Sequence, residues 1–530
     1  MGQDEGRLSH WADITASKIV RDRRGKEVYV CASGITPSGT VHIGNFREII
    51  SVELVVRALR EKGARVRFIY SWDDYDVFRE IPENMPQRER LEAYLRKPIT
   101  SIPDMQGGRK NYAARNEAEL ESILPLVGIE PEYIYQTERY KSGCYAEGIK
   151  QALDNKNVIR RALDAFRSEK LDSDWYPLKV FCGACERDTT RVLDRPSVYE
   201  ISYVCDACGN NQTVDFRRFG GVKLPWRIDW PMRWRFEKVD FEPAGKDHHS
   251  EGGSFDTARS IAEEVFNYAA PITFQYDFVR IKGGCGKISA SRGQVLSLSE
   301  VLRYYQPELV RFMFAGTRPN SEFAISFDLD VIKIYEDYDR IERDYFDKPK
   351  NPKVKWYKNA RIYELSQVAA VPARRPYQIQ FRHLTTLLQI YSGLTDAVIA
   401  FLGDVPAEDR DGFKARANCA WNWLNNRAPD DFRFSLRKSS DGPVNLPNVT
   451  DDLLGALKDM KTLVETKLGR VPEKEFSAAM YDVIHGYELD SREFFEALYL
   501  ILIGKTKGPR MVNFLHVLGA GRVSELLALY

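Results

Sequence analysis

The run Glu27–Ala32, EVYVCA, is apolar and rich in β-branched side chains, which marks a strand. It breaks at SGITPSG, residues 33–39, and from Val41 to Leu59 apolar positions recur at helical spacing. The segment therefore reads strand, small-residue turn, helix. A second strand over Val66–Ser71 ends in Trp72-Asp73-Asp74-Tyr75-Asp76, the place where an open parallel sheet forms its ligand crevice. This alternation predicts an α/β fold with a doubly wound parallel core of Rossmann type.

Residues 85–225 mix helical stretches such as Asn116–Leu126 with a cysteine-bearing hairpin region, and strand and helix signals resume near Val239. The core is thus expected in two halves, 1–84 and 226–335, split by an insertion over 85–225. Past Tyr335 the alternation stops. A Lys/Arg-rich, Pro-punctuated stretch, Lys348–Arg375, leads into helical patterns at 384–402, 451–468 and 491–503, which predict an all-α domain over 336–530. No internal repeat or low-complexity tract is present.

At 530 residues the chain exceeds one hydrophobic core and fits roughly three or four packed units. With 77 basic and 76 acidic residues, a nucleic-acid partner would have to be held by local basic patches rather than a global field. The start, MGQDEGRLSHW, lacks a basic segment followed by an apolar run, and Phe494–Ile503, the most apolar stretch, is too short to span a bilayer. A cytoplasmic enzyme with no membrane partner is expected.

Eight cysteines include two CxxC pairs, Cys182/Cys185 and Cys205/Cys208, while Cys31, Cys144, Cys285 and Cys419 are scattered. That distribution fits a reducing compartment with one metal site. Nineteen residues separate the pairs, a spacing that suits a tetrahedral zinc ribbon with all four thiolates supplied. Four protein ligands leave no open position, so the expected Zn2+ is structural.

The turn after the first strand carries Ile35-Thr36-Pro37-Ser38-Gly39-Thr40-Val41-His42-Ile43-Gly44-Asn45. Backbone N–H groups and the helix dipole at such a helix start suit a polyphosphate, and His42 can donate to an oxygen that gains charge. Gly44 would let an adenine ring approach the backbone. A second segment, Lys282-Gly283-Gly284-Cys285-Gly286-Lys287-Ile288-Ser289-Ala290-Ser291-Arg292-Gly293, is a glycine-flanked loop with a lysine and two hydroxyls. It could close on a triphosphate and put Lys287 against departing pyrophosphate. Taken singly, each segment is also compatible with an ordinary helix start or a solvated turn.

In this order, the two segments resemble the HIGH and KMSKS signatures of class I aminoacyl-tRNA synthetases. SGITPSG at 33–39, WDDYD at 72–76, RIDWPMRW at 227–234 and DFEPAGKDH at 240–248 are similar to the class I lysyl-tRNA synthetases. The resemblance runs from His10 to about Asp330 and continues weakly through Gly504–Arg510. It implies an enzyme in which lysine attacks Mg2+-bound ATP, and lysyl-adenylate then esterifies the terminal ribose of tRNA(Lys). It also implies that tRNA is needed before activation, and it gives no role to DNA.

By the same carry-over, His42, Asn45, Lys287 and Ser289 form the catalytic pair of motifs. Gly44, Gly245, Asp247 and Lys287 hold ATP, and Gly34, Thr36, Trp226, His248 and Tyr276 line the lysine site. Asn45 replaces the last histidine of HIGH and Ala290 the second lysine of KMSKS, so catalysis leans on His42, Lys287 and Arg292. Some relatives carry a second zinc site in the region matching Asp104–Asn116. Gly108, Arg109 and Arg115 stand there instead, so one zinc is expected.

Independently of the family, an alkyl-ammonium needs an apolar or aromatic sleeve and a carboxylate or π face. Trp72, Asp73, Asp74, Asp76 and Trp226 supply those types, with Asp74 the expected lysine-binding acid and the choice among the acids open. Trp226 and Trp230 could equally be core. The stretch Lys348–Tyr363 interleaves cations with Trp356, Tyr357 and Tyr363, either a solvated face or an RNA-stacking surface. Three rival readings are a class I synthetase for another amino acid such as glutamate, a tRNA-independent adenylate-forming nucleotidyltransferase, and a zinc-ribbon RNA-binding protein without activity. Acidic pocket candidates weigh against glutamate, the helical extension against the second, and intact His42, Lys287 and Asp247 against the third.

Overall fold

The structure is a computed structural model that describes residues 10–81, 85, 87–283 and 296–530. It falls into two compact units. One holds residues up to Leu302 with Pro307–Ile325 and Ile341–Ala373, and the other holds Arg303–Gln306, Ser326–Arg340 and Arg374–Tyr530.

In the first unit, helix α1 (Trp11–Asp22) precedes strand β1 (Tyr29–Ile35), helix α2 (Ile43–Glu61) and strand β2 (Val66–Trp72). Helix α3 (Tyr112–Ile123) and strand β3 (Glu132–Tyr135) follow. β2 lies parallel between β1 and β3, with Gly34 opposite Ser71 and Trp72 opposite Tyr135. On the other edge of β1, Ala32 N–H donates to Phe241, and Asp240 and Phe241 N–H donate to Val30. Beyond that, Ala244–Gly245 pairs parallel with Gln275–Tyr276.

The sheet thus runs outward from β1 in both directions, and its order reverses between β1 and the 240–245 segment. That reversal opens a crevice at the carboxyl ends of the strands. Gly34, Asp73, Gly245 and Tyr276 all sit at those ends. α2 supports the sheet from behind: Ile43, Phe46, Ile49, Ile50, Val52, Leu54, Val55 and Val56 are all buried, because α1 covers the side that the sheet does not.

Two segment boundaries differ from expectation. β3 belongs to the core sheet, so the region interrupting it is shorter than 85–225. β3 is only four residues, too short to register as an apolar run. Residues 341–373 pack in the first unit rather than the helical one. There Arg361 of helix Val354–Ser366 pairs with Asp13 at 2.9 Å and Glu61 at 2.8 Å. Between the core halves lies an antiparallel meander, β4 (Thr190–Ser197), β5 (Glu200–Cys205) and β6 (Asn211–Asp215). Helices α4 (Trp226–Glu237) and α5 (Ser254–Glu264) then complete the wall of the crevice.

The second unit is helical, built on Leu457, Met460, Val464, Phe476, Leu498 and Phe514. Its 384–402 pattern is two helices, Phe381–Ile390 and Thr395–Leu402, bent by 114°. Ser392 (φ 51°) and Gly393 (φ 79°) make the turn in the left-handed region. Among the described residues no single helix is long and apolar enough to cross a membrane.

Candidate active site

His42 caps α2 in an unusual way. Its ring Nδ1 accepts the Asn45 backbone N–H at 3.3 Å, and Asn45 Oδ1 accepts the His42 N–H at 3.3 Å. The two bonds are reciprocal, as in a capping box, and the Asn45 N–H also reaches the His42 carbonyl at 2.9 Å. Because Nδ1 accepts, the neutral ring carries its proton on Nε2. Gly44 is required beside it, since a Cβ there would come within 2.9 Å of the His42 ring. Leu296 and Ser297 reach the same helix start: Leu296 O accepts the Ile43 N–H at 2.8 Å, and Ser297 bridges to His42.

One turn into α2, the crevice deepens into a cavity of about 590 Å³ lined by Gly34, Thr36, Asn45, Trp226, His248 and Tyr276. Six residues expected at the catalytic and lysine sites therefore meet around one space. Gly34 lies close against the adjacent strand: a Cβ would stand 2.6 Å from the Ser71 carbonyl oxygen. Gly245 and Asp247 do not line the cavity. They lie in the strand end and turn that carry its rim, where Gly245 pairs with Tyr276 and its carbonyl accepts the His248 N–H.

The floor is a carboxylate absent from the sequence motifs. Glu48 accepts from Ser33 Oγ at 2.8 Å, from the Gly34 N–H at 3.1 Å and from the Tyr276 hydroxyl. Burial pushes its pKa above the usual carboxylate range, with the three donors pulling the other way. Trp226 stacks on Trp230 with ring centroids 4.8 Å apart, and both rings face His248. Trp226 lines the cavity while Trp230 is core.

Asp74 does not reach this space. It is 4% exposed and accepts the Thr137 N–H at 2.7 Å on the far side of the strand end. Burial pushes its carboxyl up to about 6. Asp73, not Asp74, lines the cavity, and it shares the Arg233 guanidinium with Ser71. Asp76 and Asp229 line it too.

α3 braces the turn above the cavity. Tyr112 donates to the Ser38 carbonyl at 2.7 Å and Asn116 to the Pro37 carbonyl at 3.0 Å. A second space of about 820 Å³ opens on that side, sharing Thr36, Asp76, Val77 and Arg79 with the first. A nucleotide-suited helix start, a charged cavity and an adjoining channel thus meet at one end of the parallel sheet.

A model of the family described as tRNA synthetases class I (K) matches residues 9–369. The chain belongs to that family. It is 48% identical over 526 residues to a lysine–tRNA ligase of Borreliella burgdorferi, covering 99% of this chain and 100% of that one. It is 49% identical to a lysine–tRNA ligase of Treponema pallidum, covering 98% of each, and 40% identical to one of Thermococcus kodakarensis, covering 98% and 100%. The fold of this class I synthetase is accordingly a parallel sheet followed by a helical C-terminal region.

The synthetase also gathers Cys182, Cys185, Cys205 and Cys208, whose sulfurs lie within 4.8 Å of one another. Sγ separations of 3.6 Å (Cys182–Cys208) and 3.7 Å (Cys185–Cys205) are far beyond a disulfide bond. They match the edge of a tetrahedron with ~2.3 Å metal–sulfur bonds, ~3.8 Å. The Ala184 N–H and the Asn210 amide donate to Cys182 Sγ, support that favours a thiolate.

Elsewhere, Asp104 is taken by Arg115, whose Nε and Nη2 donate to it at 2.6 Å each. That guanidinium holds the Asp104 carboxyl down at about 2. In the Lys348–Tyr363 stretch, Tyr363 is fully buried and donates to Glu342, and the Trp356 indole donates to the Asp344 carbonyl. Tyr363 is therefore core, not a stacking surface. Lys287, Ser289 and Arg292 lie outside the described residues.

Proposed function

We propose that this chain is a lysine–tRNA ligase, which activates lysine with ATP and transfers it to the 3′ end of tRNA(Lys). The observation that carries the reading is the 590 Å³ cavity, where Gly34, Thr36, Trp226, His248 and Tyr276 surround a floor of Glu48, Asp73 and Asp229. Carboxylates at the base and indole on the wall suit a four-carbon alkyl-ammonium. The near end-to-end similarity to lysine–tRNA ligases supports the same substrate.

In this reading ATP lies along the start of α2. The helix N-terminus receives the polyphosphate, and His42 Nε2–H donates to an oxygen that gains charge as the lysine carboxylate attacks the α-phosphate. Mg2+ bound with ATP would offset phosphate charge. Gly245 and Asp247 are assigned to the ribose. Lys287 and Ser289 are assigned to the pyrophosphate by motif, supported by the pairing of Leu296 and Ser297 with the helix start. The adjoining 820 Å³ space gives the tRNA terminal ribose a route to the adenylate carbonyl.

The cysteine quartet is assigned one structural Zn2+ that orders the β4–β6 ribbon. The helical unit is assigned to the anticodon arm. ATP–pyrophosphate exchange measured across the amino acids, with and without tRNA, tests the reading. A signal for lysine alone that requires tRNA is expected, and exchange driven by glutamate, or adenylate formation indifferent to tRNA, overturns it.

A further inference from the structure

We infer that Arg233 is a positioning residue that fixes the carboxylate and indole walls of the amino-acid cavity, and that it makes the cavity select an ammonium over a guanidinium. The inference rests on reading that cavity as the lysine site. Trp226, Asp229 and Arg233 follow one another at i, i+3 and i+7 on α4, so their side chains share a face. Trp226 and Asp229 line the cavity, whereas Arg233 stands behind them with its side chain 10% exposed.

The guanidinium ties two walls together. Nη1 donates to Asp73 Oδ1 at 2.5 Å and to Ser71 Oγ at 3.0 Å, and Nη2 pairs with Asp229 Oδ2 at 3.0 Å. Its carbon lies 5.3 Å from the Trp226 ring centroid. One side chain therefore joins the end of β2 to α4 and supports the indole that faces the substrate. The Tyr140 hydroxyl, 2.5 Å from Asp229, is the other group closing that side.

Charge gives the arrangement its selectivity. Glu48, Asp73, Asp76 and Asp229 are four carboxylates around one space; Arg79 and Lys223 pair with Asp76 at 3.3 and 3.7 Å, and like charges left among the others would drive proton uptake or admit a second cation. Arg233 reduces the Asp73–Asp229 pair to one net negative charge, suited to a single ammonium. It also occupies the planar donor positions between two carboxylates that a substrate guanidinium would need. An arginine side chain entering the cavity would find Asp73 Oδ1 and Asp229 Oδ2 already engaged by Arg233.

The test uses the full-length enzyme and the variants Arg233→Ala and Arg233→Lys in tRNA-dependent ATP–pyrophosphate exchange, with lysine or arginine and with or without millimolar guanidinium chloride. Arg233→Ala should raise the lysine KM at least about tenfold with the ATP KM changed less than about twofold. Added guanidinium should restore the lysine KM, and Arg233→Lys should fall between the parent and Arg233→Ala. Equal shifts in both KM values, or no guanidinium response in a variant that melts like the parent, overturn the inference. Should Arg233→Ala fail to fold, Arg233→Lys decides: a rise in the lysine KM alone supports the role, and an unchanged KM with arginine still rejected overturns it. A parent that activates a different amino acid overturns the functional reading instead, and Arg233 is then judged by the same KM split on that amino acid.

Discussion

The Asn45 backbone N–H donates to His42 Nδ1 while the Asn45 side-chain oxygen accepts the His42 N–H, so the first and last polar residues of HIGN hold each other. The bond makes Asn45 more than a substitute for a missing histidine. It fixes the His42 tautomer that presents Nε2–H, and it does so with a neutral side chain beside the expected polyphosphate.

Two substitutions separate those contributions. Asn45→Ala removes one cap bond and should cost about 0.5–1 kcal/mol of stability. Asn45→Asp keeps an acceptor at the cap, so its melting should stay within about 0.5 kcal/mol of the parent. Its added negative charge should nevertheless raise the ATP KM about tenfold, on the scale of a like-charge contact fully screened by water. Thermal melts with ATP-dependent exchange kinetics check both, and an unchanged ATP KM in Asn45→Asp would remove the polyphosphate from this helix start.

Glu48→Gln tests the cavity floor. The carboxylate takes hydrogen bonds from Ser33, Gly34 and Tyr276, and an amide offers one acceptor atom where the acid offers two. The variant should keep its fold and raise the lysine KM at least about tenfold while the ATP KM moves less than about twofold. Equal effects on the two substrates would reassign Glu48 to the nucleotide side.

The motif residues were legible because a sharp change of period, from EVYVCA to the helix at Val41, locates the strand end where a crevice forms. Gly34, Thr36, Trp226, His248 and Tyr276 came from resemblance and do converge on one cavity. Glu48 and Arg233 were missed, although each shares a helix face with a recognised residue: Glu48 one turn after Asn45, Arg233 two turns after Trp226. Among the acids left open, Asp74 lies outside the cavity for a reason the sequence contains. With period two along the strand end, Ser71 and Asp73 face one way, toward Arg233, while Trp72 and Asp74 face the other, toward Glu121 and Thr137. β3 and the two-residue pairing at Gly245 were illegible because so short a strand carries no periodic signal.

The cysteine quartet should hold one zinc per chain, since Asp104 is committed to Arg115 and the backbone N–H groups of Gln106 and Arg109. Elemental analysis of the purified protein giving two zinc ions would overturn that count. Cys182→Ser should lose the metal and open residues 179–215 to protease, because a four-thiolate site contributes on the order of 10 kcal/mol to ordering a small unit. Metal retention with an intact ribbon would show that the other three thiolates suffice.

Glu117 gives a pH test on the helix that braces the Pro37–Thr40 turn. It is 7% exposed, and its Oε1 has no hydrogen-bond partner among the described residues. Burial first, then the neighbouring charges of Asp74, Glu121 and Glu138, push its carboxyl up to about 8. A carboxyl whose pKa is higher folded than unfolded keeps a proton that the unfolded chain releases, so its stabilising contribution is complete below about pH 4.5 and is lost as pH rises towards about 8. Glu117→Gln, a neutral isostere, should melt like the parent near about pH 4.5 and be more stable near about pH 8, by of order 1 kcal/mol after solvent screening. Denaturant midpoints across that range check the sign. Parallel pH profiles for the two proteins would mean that Glu117 is ionised in the folded state, which would require a cation beside it.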